Sequence, residues 1–214
     1  MKQIKLLCLS DEEVSSVNSP RIRERFPGLD AVISCGDLPW NYLEYVVSML
    51  DLPLYYVQGN HVFDVEDGAG EVRHHPQGAI NLHKRVVYDP KLDLILVGIE
   101  GSLRYNRKQY QYTQKQMWQM VYSLVPQLML NKVRYGRFLD VFVTHAAPKG
   151  VNDEDDPAHR GIEAFRWLIE NFSPMLHLHG HIHLYNPLKP RETMLGNTRV
   201  INCFGQRLIT LNGN

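Results

Sequence analysis

The stretch LLCLSDEEV, residues 6–14, starts as an apolar run and ends in three acidic side chains. The run over residues 6–9 predicts a buried strand. Asp11, Glu12 and Glu13 follow at the place where such a strand ends. Negative charge crowded at a buried strand end needs either water or a cation as its partner. The stretch is therefore a polar turn that faces solvent, or it is one part of a metal site.

Seven further apolar runs predict strands, because they are short and rich in β-branched residues. They are AVISC (31–35), LYYV (54–57), LDLILVGI (92–99), LDVFVTH (139–145), MLHLHG (175–180), RVINC (199–203) and RLITL (207–211). Helices are predicted over residues 41–50 and 160–172, and a third is predicted to begin after Thr113 and to break near Pro126. Strands that alternate with helices and then follow one another closely after residue 176 predict an α/β fold with some antiparallel pairing. Because no repeat or linker interrupts the chain, we expect a single domain over residues 1–214.

The composition limits the classes of partner. Lys and Arg number 23, as do Asp and Glu, which gives a formal net charge of +0. A chain so balanced gives no support for binding long nucleic acid or an acidic membrane. The first apolar run is too short for a signal peptide and no run approaches the roughly 20 residues of a membrane span, so we expect a cytoplasmic protein. We interpret Cys8, Cys35 and Cys203 as buried, reduced core residues.

Five predicted strands end in side chains that divalent transition metals accept as ligands. In chain order these are Asp11 and Glu13, then Asp37 after Gly36, Asn60 and His61 after Gly59, His145, and finally His181 and His183 after Gly180. In α/β sheets, functional groups collect just past the carboxyl ends of the strands. One Asp or His alone would indicate a turn or a structural residue. Five such strand ends in succession predict a shared metal centre.

These blocks resemble the signature of the calcineurin-like metallophosphoesterases, in which D-x-H, GD, GNH, a strand-end His and GHxH follow in that order. Four of the five blocks match, over roughly residues 4–205: Gly36-Asp37, Gly59-Asn60-His61, His145 in VTHAAP, and GHIH at residues 180–183. The resemblance implies an α/β fold of two packed mixed β-sheets flanked by helices, a four-layer sandwich.

The resemblance also implies two divalent metal ions, Mn or Fe before Zn, Ni or Mg. One ion would be held by Asp11, Glu13, Asp37 and His183, and the other by Asp37, Asn60, His145 and His181, with Asp37 bridging both. Ions roughly 3.5–4 Å apart would hold a bridging hydroxide that attacks a phosphate ester. His61 would act as the general acid for the leaving oxygen.

The first block departs from the family pattern, since Asp11-Glu12-Glu13 stands where D-x-H is expected. A Glu13 carboxylate can coordinate in place of an imidazole and would favour harder cations. Alternatively, Glu13 points to solvent and one metal position is weakened. The sequence leaves both interpretations open.

Three further groups lie near the matched blocks. His177 and His179 share one strand face, and we interpret them as polar residues of the core or around the centre rather than as ligands. His159, in DEDDPAHRG (153–161), lies either on a substrate-facing turn or on a solvated acidic loop. The segment GSLRYNRKQYQYT (101–113) either binds a phosphate and a planar leaving group or forms a Tyr-rich surface or dimer contact. Its candidate substrate-binding residues are Arg104, Tyr105 and Arg107.

We therefore expect a dinuclear metal-dependent phosphoesterase that acts on a small phosphorylated substrate. Phosphodiesters are favoured because the GNH block retains an acid for the leaving group. A nucleotide pyrophosphohydrolase or nuclease is the alternative among enzymes, although the charge balance argues against long nucleic acid. A non-catalytic metal-binding scaffold is the alternative of another class, and the retention of His61 speaks against it. The sequence leaves open whether the chain forms a homo-oligomer.

Overall fold

The computed structural model describes residues 3–61, 63–66, 70, 72–106, 108–186 and 190–212, with only the backbone described at residues 65 and 66. All eight predicted strands form. In chain order the elements are β1 (Gln3–Ser10), α1 (Ile22–Arg25), β2 (Ala31–Ser34), α2 (Trp40–Leu50), β3 (Leu54–Tyr56), β4 (Val65–Glu66), β5 (Val72–Arg73), β6 (Ala79–Asn81), β7 (Arg85–Asp89), β8 (Leu94–Ile99), β9 (Ser102–Leu103), β10 (Gln111–Tyr112), α3 (Gln114–Tyr135), β11 (Val141–Thr144), α4 (Glu163–Phe172), β12 (Leu176–His179), β13 (Glu192–Leu195), β14 (Thr198–Asn202) and β15 (Gly205–Asn212).

Two mixed sheets carry the long strands. The first has the order β15-β1-β2-β3-β6, in which β15 runs antiparallel to β1 and the remaining neighbours are parallel. The second has the order β13-β14-β12-β11-β8-β7, with antiparallel pairs at its two ends and parallel pairs between them. The antiparallel pairs agree with the expectation of some antiparallel pairing, but the closely spaced C-terminal runs that form β14 and β15 lie in different sheets and do not pair with each other.

The strand β1 shows how the layers stack. Its side chains alternate between two faces, as the two-residue period of a strand requires. Ile4, Leu6 and Cys8 join the apolar core between the two sheets, whereas Leu7 and Leu9 pack with residues of α1 and α2. The outer face of the second sheet packs against α3 and α4. The fold is therefore the α/β arrangement of two mixed sheets flanked by helices that the motifs imply.

The core between the sheets also holds the three cysteines. Cys8, Cys35 and Cys203 are buried and unpaired, which confirms the prediction of reduced core residues.

The third helix contradicts the sequence prediction at Pro126. Thr113 caps the helix as predicted, because its side chain accepts the N–H of Gln116, but the helix then continues without a break over Gln114–Tyr135. Pro126 lies on the exposed face of this helix. Proline has no N–H, so it cannot donate the helical hydrogen bond to the carbonyl of Tyr122, four residues earlier. On the exposed face this carbonyl is able to bind water instead. Apolar side chains on the opposite face anchor the helix in the core.

The other two predicted helices form with shifted starts. The helix predicted over residues 41–50 is α2, and the helix predicted over residues 160–172 is α4, which begins at Glu163. The helix α4 starts later than predicted because Ile162 has an extended backbone that forms an isolated β-bridge with Pro148. Within the described residues, no helix has the length and apolar character needed to cross a bilayer.

Candidate metal centre

The predicted ligands follow strands of both sheets, and several of them meet at one place. Asp11 follows β1, Asp37 follows β2, Asn60 follows β3, His145 follows β11 and His181 follows β12. Because parallel strands point the same way, the residues after them collect at the carboxyl edge of each sheet. The two edges meet, since the backbone N–H of His181 donates to both carboxylate oxygens of Asp11, at 3.2 and 3.0 Å.

The innermost group consists of Asp11, Asp37 and His145. One ligand atom from each lies within 4.8 Å of the other two, as binding to a single ion requires. Only 1 % of the Asp11 side chain, 8 % of Asp37 and none of His145 is exposed. Nε2 of His145 lies 3.2 Å from Oδ2 of Asp37 and 3.0 Å from Oδ1 of Asn60. Carboxylate, amide and imidazole donors thus face one another at a buried point.

The hydrogen bonds of His145 test whether these residues suit a metal ion. Its Nδ1 lies 2.8 Å from the carbonyl oxygen of Cys35, and because a carbonyl only accepts, Nδ1 carries the hydrogen. Nε2 then faces two oxygen acceptors, from Asp37 and Asn60. In the neutral ring Nε2 has only a lone pair, which neither oxygen can use. Either a proton on Nε2 or a metal cation among the three atoms satisfies all of them, and carboxylate, amide and imidazole are donors that a divalent metal ion accepts.

Glycines in two of the blocks allow this close approach. A Cβ atom on Gly59 would overlap the carboxylate of Asp37, and a Cβ on Gly180 would overlap the side chains of Ser10 and Asp11. Both glycines therefore stand where one strand end packs directly against the side chains of another.

The backbone is strained at three of the predicted ligands. Asp11, Asp37 and His181 have positive φ angles of 65°, 55° and 66°. A left-handed conformation costs a non-glycine residue roughly 1–2 kcal/mol, although Asp tolerates it better than most. Such strain persists only where the surrounding structure holds the residue in place. Here it lies at the side chains that converge on the centre.

The protonation equilibria of the innermost group show which charge the centre favours. Burial raises the pKa of Asp11 and of Asp37, but contacts with His183 at the first and His145 at the second outweigh it, so both pKa values lie below their usual range. Burial lowers the pKa of His145, yet the charge of Asp37 outweighs it and raises the pKa to about 9. The metal-free centre thus favours a positive charge on the ring of His145.

The two histidines of the GHIH block have different surroundings. His181 is 6 % exposed, and its ring centre lies 4.8 Å from that of His145. Burial lowers its pKa to about 3, so its ring is neutral at pH 7 and has a lone pair to offer. His183 is exposed, and its Nε2 lies 3.6 Å from Oδ1 of Asp11, which raises its pKa. Its ring stacks on Phe204.

His61 and Tyr105 lie at the solvent side of the centre. The backbone N–H of His61 donates to Oδ1 of Asp37 at 2.8 Å, while its side chain is 57 % exposed and places Nε2 3.8 Å from Oδ2 of the same residue. The hydroxyl of Tyr105 accepts the side-chain N–H of Asn60 at 3.2 Å. That contact orients the amide of Asn60 so that its oxygen faces His145.

The remaining predicted site residues lie further from the innermost group. Glu13 is exposed and is not part of the cluster of Asp11, Asp37 and His145. Arg104 is exposed and donates to the carbonyl of Gln111 and the side chain of Gln116, at the start of α3. Arg107 lies outside the described residues. His159 packs with its ring centre 5.1 Å from that of His181.

His177 and His179 are buried below the centre. His177 contacts the hydroxyl of Thr144 through Nε2, and within the described part of the chain its Nδ1 has no hydrogen-bond partner. Nδ1 of His179 lies 3.0 Å from the carbonyl of Gly180. Neither belongs to a group of possible metal ligands among the described residues, in keeping with their interpretation as core polar residues.

Two contacts at the candidate centre could not be predicted from the sequence. The carbonyl of Cys35 fixes the hydrogen of His145, and the carbonyl of Ala158 lies 2.8 Å from Nε2 of His181. Backbone carbonyls have no residue identity, so a motif search does not find them. The only signal for the second is Asp156, which lies two residues before Ala158 at the spacing of an Asx turn.

Comparison with known proteins supports the fold. No family model and no curated protein sequence matches the chain. Among solved structures, TT1561 of Thermus thermophilus is 17 % identical, with a TM-score of 0.61 over 99 % of both chains. GAP50, described as the anchor in the inner membrane complex of Plasmodium, is 14 % identical, with a TM-score of 0.53 over 94 % of this chain and 71 % of that chain. Both neighbours share the overall fold of this chain, and at these identities the likeness concerns the fold alone.

Proposed function

We propose that this protein is a dinuclear metal-dependent phosphoesterase that hydrolyses a small phosphate ester, with phosphodiesters preferred. The observation that carries the proposal is the arrangement around Nε2 of His145. This atom faces oxygens of Asp37 and Asn60 at 3.2 and 3.0 Å, while its other ring nitrogen is held by a backbone carbonyl. Three buried electron-pair donors that face one another suit a cation.

The proposed ligand sets follow the resemblance. Asp37, Asn60, His145 and His181 would hold one ion, and Asp11, Glu13, Asp37 and His183 the other. The position of Asp37 supports a bridging role, because it belongs to the innermost group with Asp11 and also contacts His145. Mn or Fe suits a set of carboxylates, an amide and imidazoles, and both accept oxygen and nitrogen donors together.

Two divalent ions, when bound, supply an activated water nucleophile and stabilise the negative charge of the phosphoryl oxygens. The protein supplies the acid for the leaving group. His61 has its backbone fixed by the hydrogen bond to Asp37, whereas its imidazole is exposed to the side from which a substrate arrives. It would donate a proton to the oxygen of the departing group.

Tyr105 has a position that suits a role at the substrate. Tyr105 is 37 % exposed as a whole residue, while its hydroxyl contacts Asn60. The aromatic ring therefore lies beside the centre, where it would pack against a planar or apolar leaving group. His159 lies in the segment 153–161 and packs beside His181. It would contact the substrate there, whereas Tyr105 would do so from the segment 101–113.

A non-catalytic metal-binding scaffold is the second candidate. The observation in its favour is the exposure of Glu13, which replaces the histidine of the usual first block. If this carboxylate does not coordinate, one ion has fewer protein ligands. A centre of that kind would bind metal without efficient turnover.

The test compares turnover and metal content in one preparation. Protein reconstituted with Mn²⁺ should bind close to two ions per chain and should hydrolyse bis-p-nitrophenyl phosphate faster than p-nitrophenyl phosphate. Asp37→Asn should lose both metal and activity. Asp51→Asn is a matched control, since Asp51 has nearly the same backbone φ, 54° against 55°, and lies at the end of α2.

The outcomes separate the candidates. Two ions with no hydrolysis of either ester would favour the scaffold. A stoichiometry near zero in the parent protein would overturn both candidates.

A further inference from the structure

The ring of His181 is held by a loop formed by residues 153–161, here termed the 153–161 loop. Nε2 of His181 lies 2.8 Å from the carbonyl oxygen of Ala158. Because a carbonyl only accepts, the hydrogen of the neutral ring is on Nε2 and the lone pair is on Nδ1. A ring in the other tautomer would place two lone pairs against each other at this contact.

The same loop limits the rotation of the ring. His159 lies with its ring centre 5.1 Å from that of His181, at an interplanar angle of 51°. The backbone N–H of His181 is fixed separately, by the carboxylate of Asp11. The two ends of the residue are thus held by different segments, and the loop holds the end that bears the imidazole.

Asp156 organises this loop. Its Oδ1 accepts the backbone N–H of Ala158 at 3.0 Å and that of His159 at 3.3 Å, while its Oδ2 lies 2.8 Å from Nδ1 of the His159 ring. Its own carbonyl accepts the N–H of Arg160 at 3.1 Å. Glu154 also contacts His159, since its Oε2 lies 3.9 Å from the same Nδ1, but only Asp156 is hydrogen-bonded both to the peptide that bears the Ala158 carbonyl and to the His159 ring among the described residues.

We infer that Asp156 is a positioning residue for the metal centre, which acts through Ala158 and His159 to hold His181 as the Nε2–H tautomer with Nδ1 free to bind an ion. The inference rests on the proposed function in so far as His181 is a ligand. The hydrogen-bonding partners of metal-ligating histidines fix tautomer and ring orientation, and their loss typically weakens metal affinity roughly 10–100-fold. Here the partner is a carbonyl whose position depends on Asp156.

The experiment measures the tautomer and the metal affinity separately. Long-range ¹H–¹⁵N spectra of the histidine rings of metal-free protein at pH 8 report which nitrogen of His181 carries the hydrogen. Calorimetric titration with Mn²⁺ reports the affinity. The variants are Asp156→Ala, Asp156→Asn and Asp155→Ala. The last is a matched control, because Asp155 is an exposed neighbouring acid that makes no hydrogen bond within the described residues.

We expect the parent and Asp155→Ala to show His181 as the Nε2–H tautomer. Asp156→Ala should give a mixture of tautomers and weaken one Mn²⁺ site about 10–100-fold. Asp156→Asn should stay close to the parent in tautomer, since its amide oxygen still accepts the N–H groups of Ala158 and His159. Asp156 is exposed, so all three variants should fold, which their thermal unfolding checks.

An unchanged tautomer in folded Asp156→Ala would overturn the inference. An equal loss of affinity in Asp155→Ala would also overturn it, because the effect would then come from net charge alone. If the parent binds no Mn²⁺, the proposed function fails, while the tautomer spectra still decide whether Asp156 positions the ring of His181.

Discussion

Nε2 of His145 lies 3.2 Å from Oδ2 of Asp37, and this contact links the protonation of the centre to the stability of the metal-free fold. The pKa of His145 is raised to about 9, against 6.5 for an ordinary histidine, because the charge of Asp37 outweighs the effect of burial. Between those two pH values the folded protein holds a proton that the unfolded chain has released. The stabilisation of the fold by protonated His145 is therefore complete below pH 6.5 and is lost as the pH rises towards 9.

The first prediction follows from this loss of stability as the pH rises. In EDTA, the free energy of unfolding should fall between pH 6.5 and 8.5, and His145→Gln should remove most of that fall, since glutamine does not titrate. Urea unfolding at several pH values measures it. His74→Gln, at an exposed histidine, is the control and should retain the slope of the parent. An equal slope in His145→Gln would show that another group is responsible.

The second prediction concerns the proposed general acid. His61→Ala should keep the metal content of the parent, because the backbone N–H that binds Asp37 is retained and the imidazole is largely exposed. The turnover number should fall roughly 10²–10⁴-fold. His74→Ala, another exposed histidine, should leave turnover unchanged. Equal turnover of His61→Ala and parent would remove His61 from the mechanism.

The third prediction concerns Glu13. An exposed carboxylate that becomes ordered on binding an ion loses side-chain entropy, about 1–2 kcal/mol, which offsets part of its contribution as a ligand. Glu13→Ala should therefore weaken one of the two sites only about tenfold, whereas Asp11→Ala should abolish it. Glu12→Ala is the adjacent control. Two sites of parental affinity in Glu13→Ala would mean that this side chain is not a ligand.

The fourth prediction concerns Tyr105. Its hydroxyl orients the amide of Asn60, so Tyr105→Phe should weaken Mn²⁺ binding by about 1 kcal/mol, the net worth of one hydrogen bond. Asn60→Ala should weaken binding more, and Tyr105→Phe should then have little further effect in the double variant. Tyr122→Phe, at an exposed tyrosine of α3, serves as the control. Additive losses in the double variant would contradict the coupling.

Much of the fold could be predicted from the sequence, because apolar runs such as those of β1 and β8 are buried on both faces and leave a strong pattern. The pairs β4–β5 and β9–β10 could not, since each strand has two residues, too few to show a period. The continuation of α3 through Pro126 also escaped prediction. It depends on which face of the helix is exposed, and local sequence does not determine that.

The candidate site also has features that could be predicted from the sequence and others that could not. Asp37 and His145 could be predicted because each lies at or just past the end of an apolar run and is a residue type that metals accept. The contact of Ala158 with His181 could not, because it joins a backbone atom of one loop to a side chain of another. The exposure of Glu13 depends on the path of the turn after β1, where Asp11 adopts a left-handed backbone that no residue pattern indicates.

The glycines at the strand ends bear on how relatives of this protein should be compared. Gly59 and Gly180 are required by the contact between strand ends, because a methyl group at either would collide with Asp37 or with Ser10 and Asp11. That requirement holds with or without a metal ion. A descendant that kept this fold only for docking would keep both glycines and would be free to change Asn60 and His181. In the GNH and GHxH motifs, a conserved glycine therefore indicates only that the fold is kept. The residues that follow the glycine distinguish an enzyme from a scaffold.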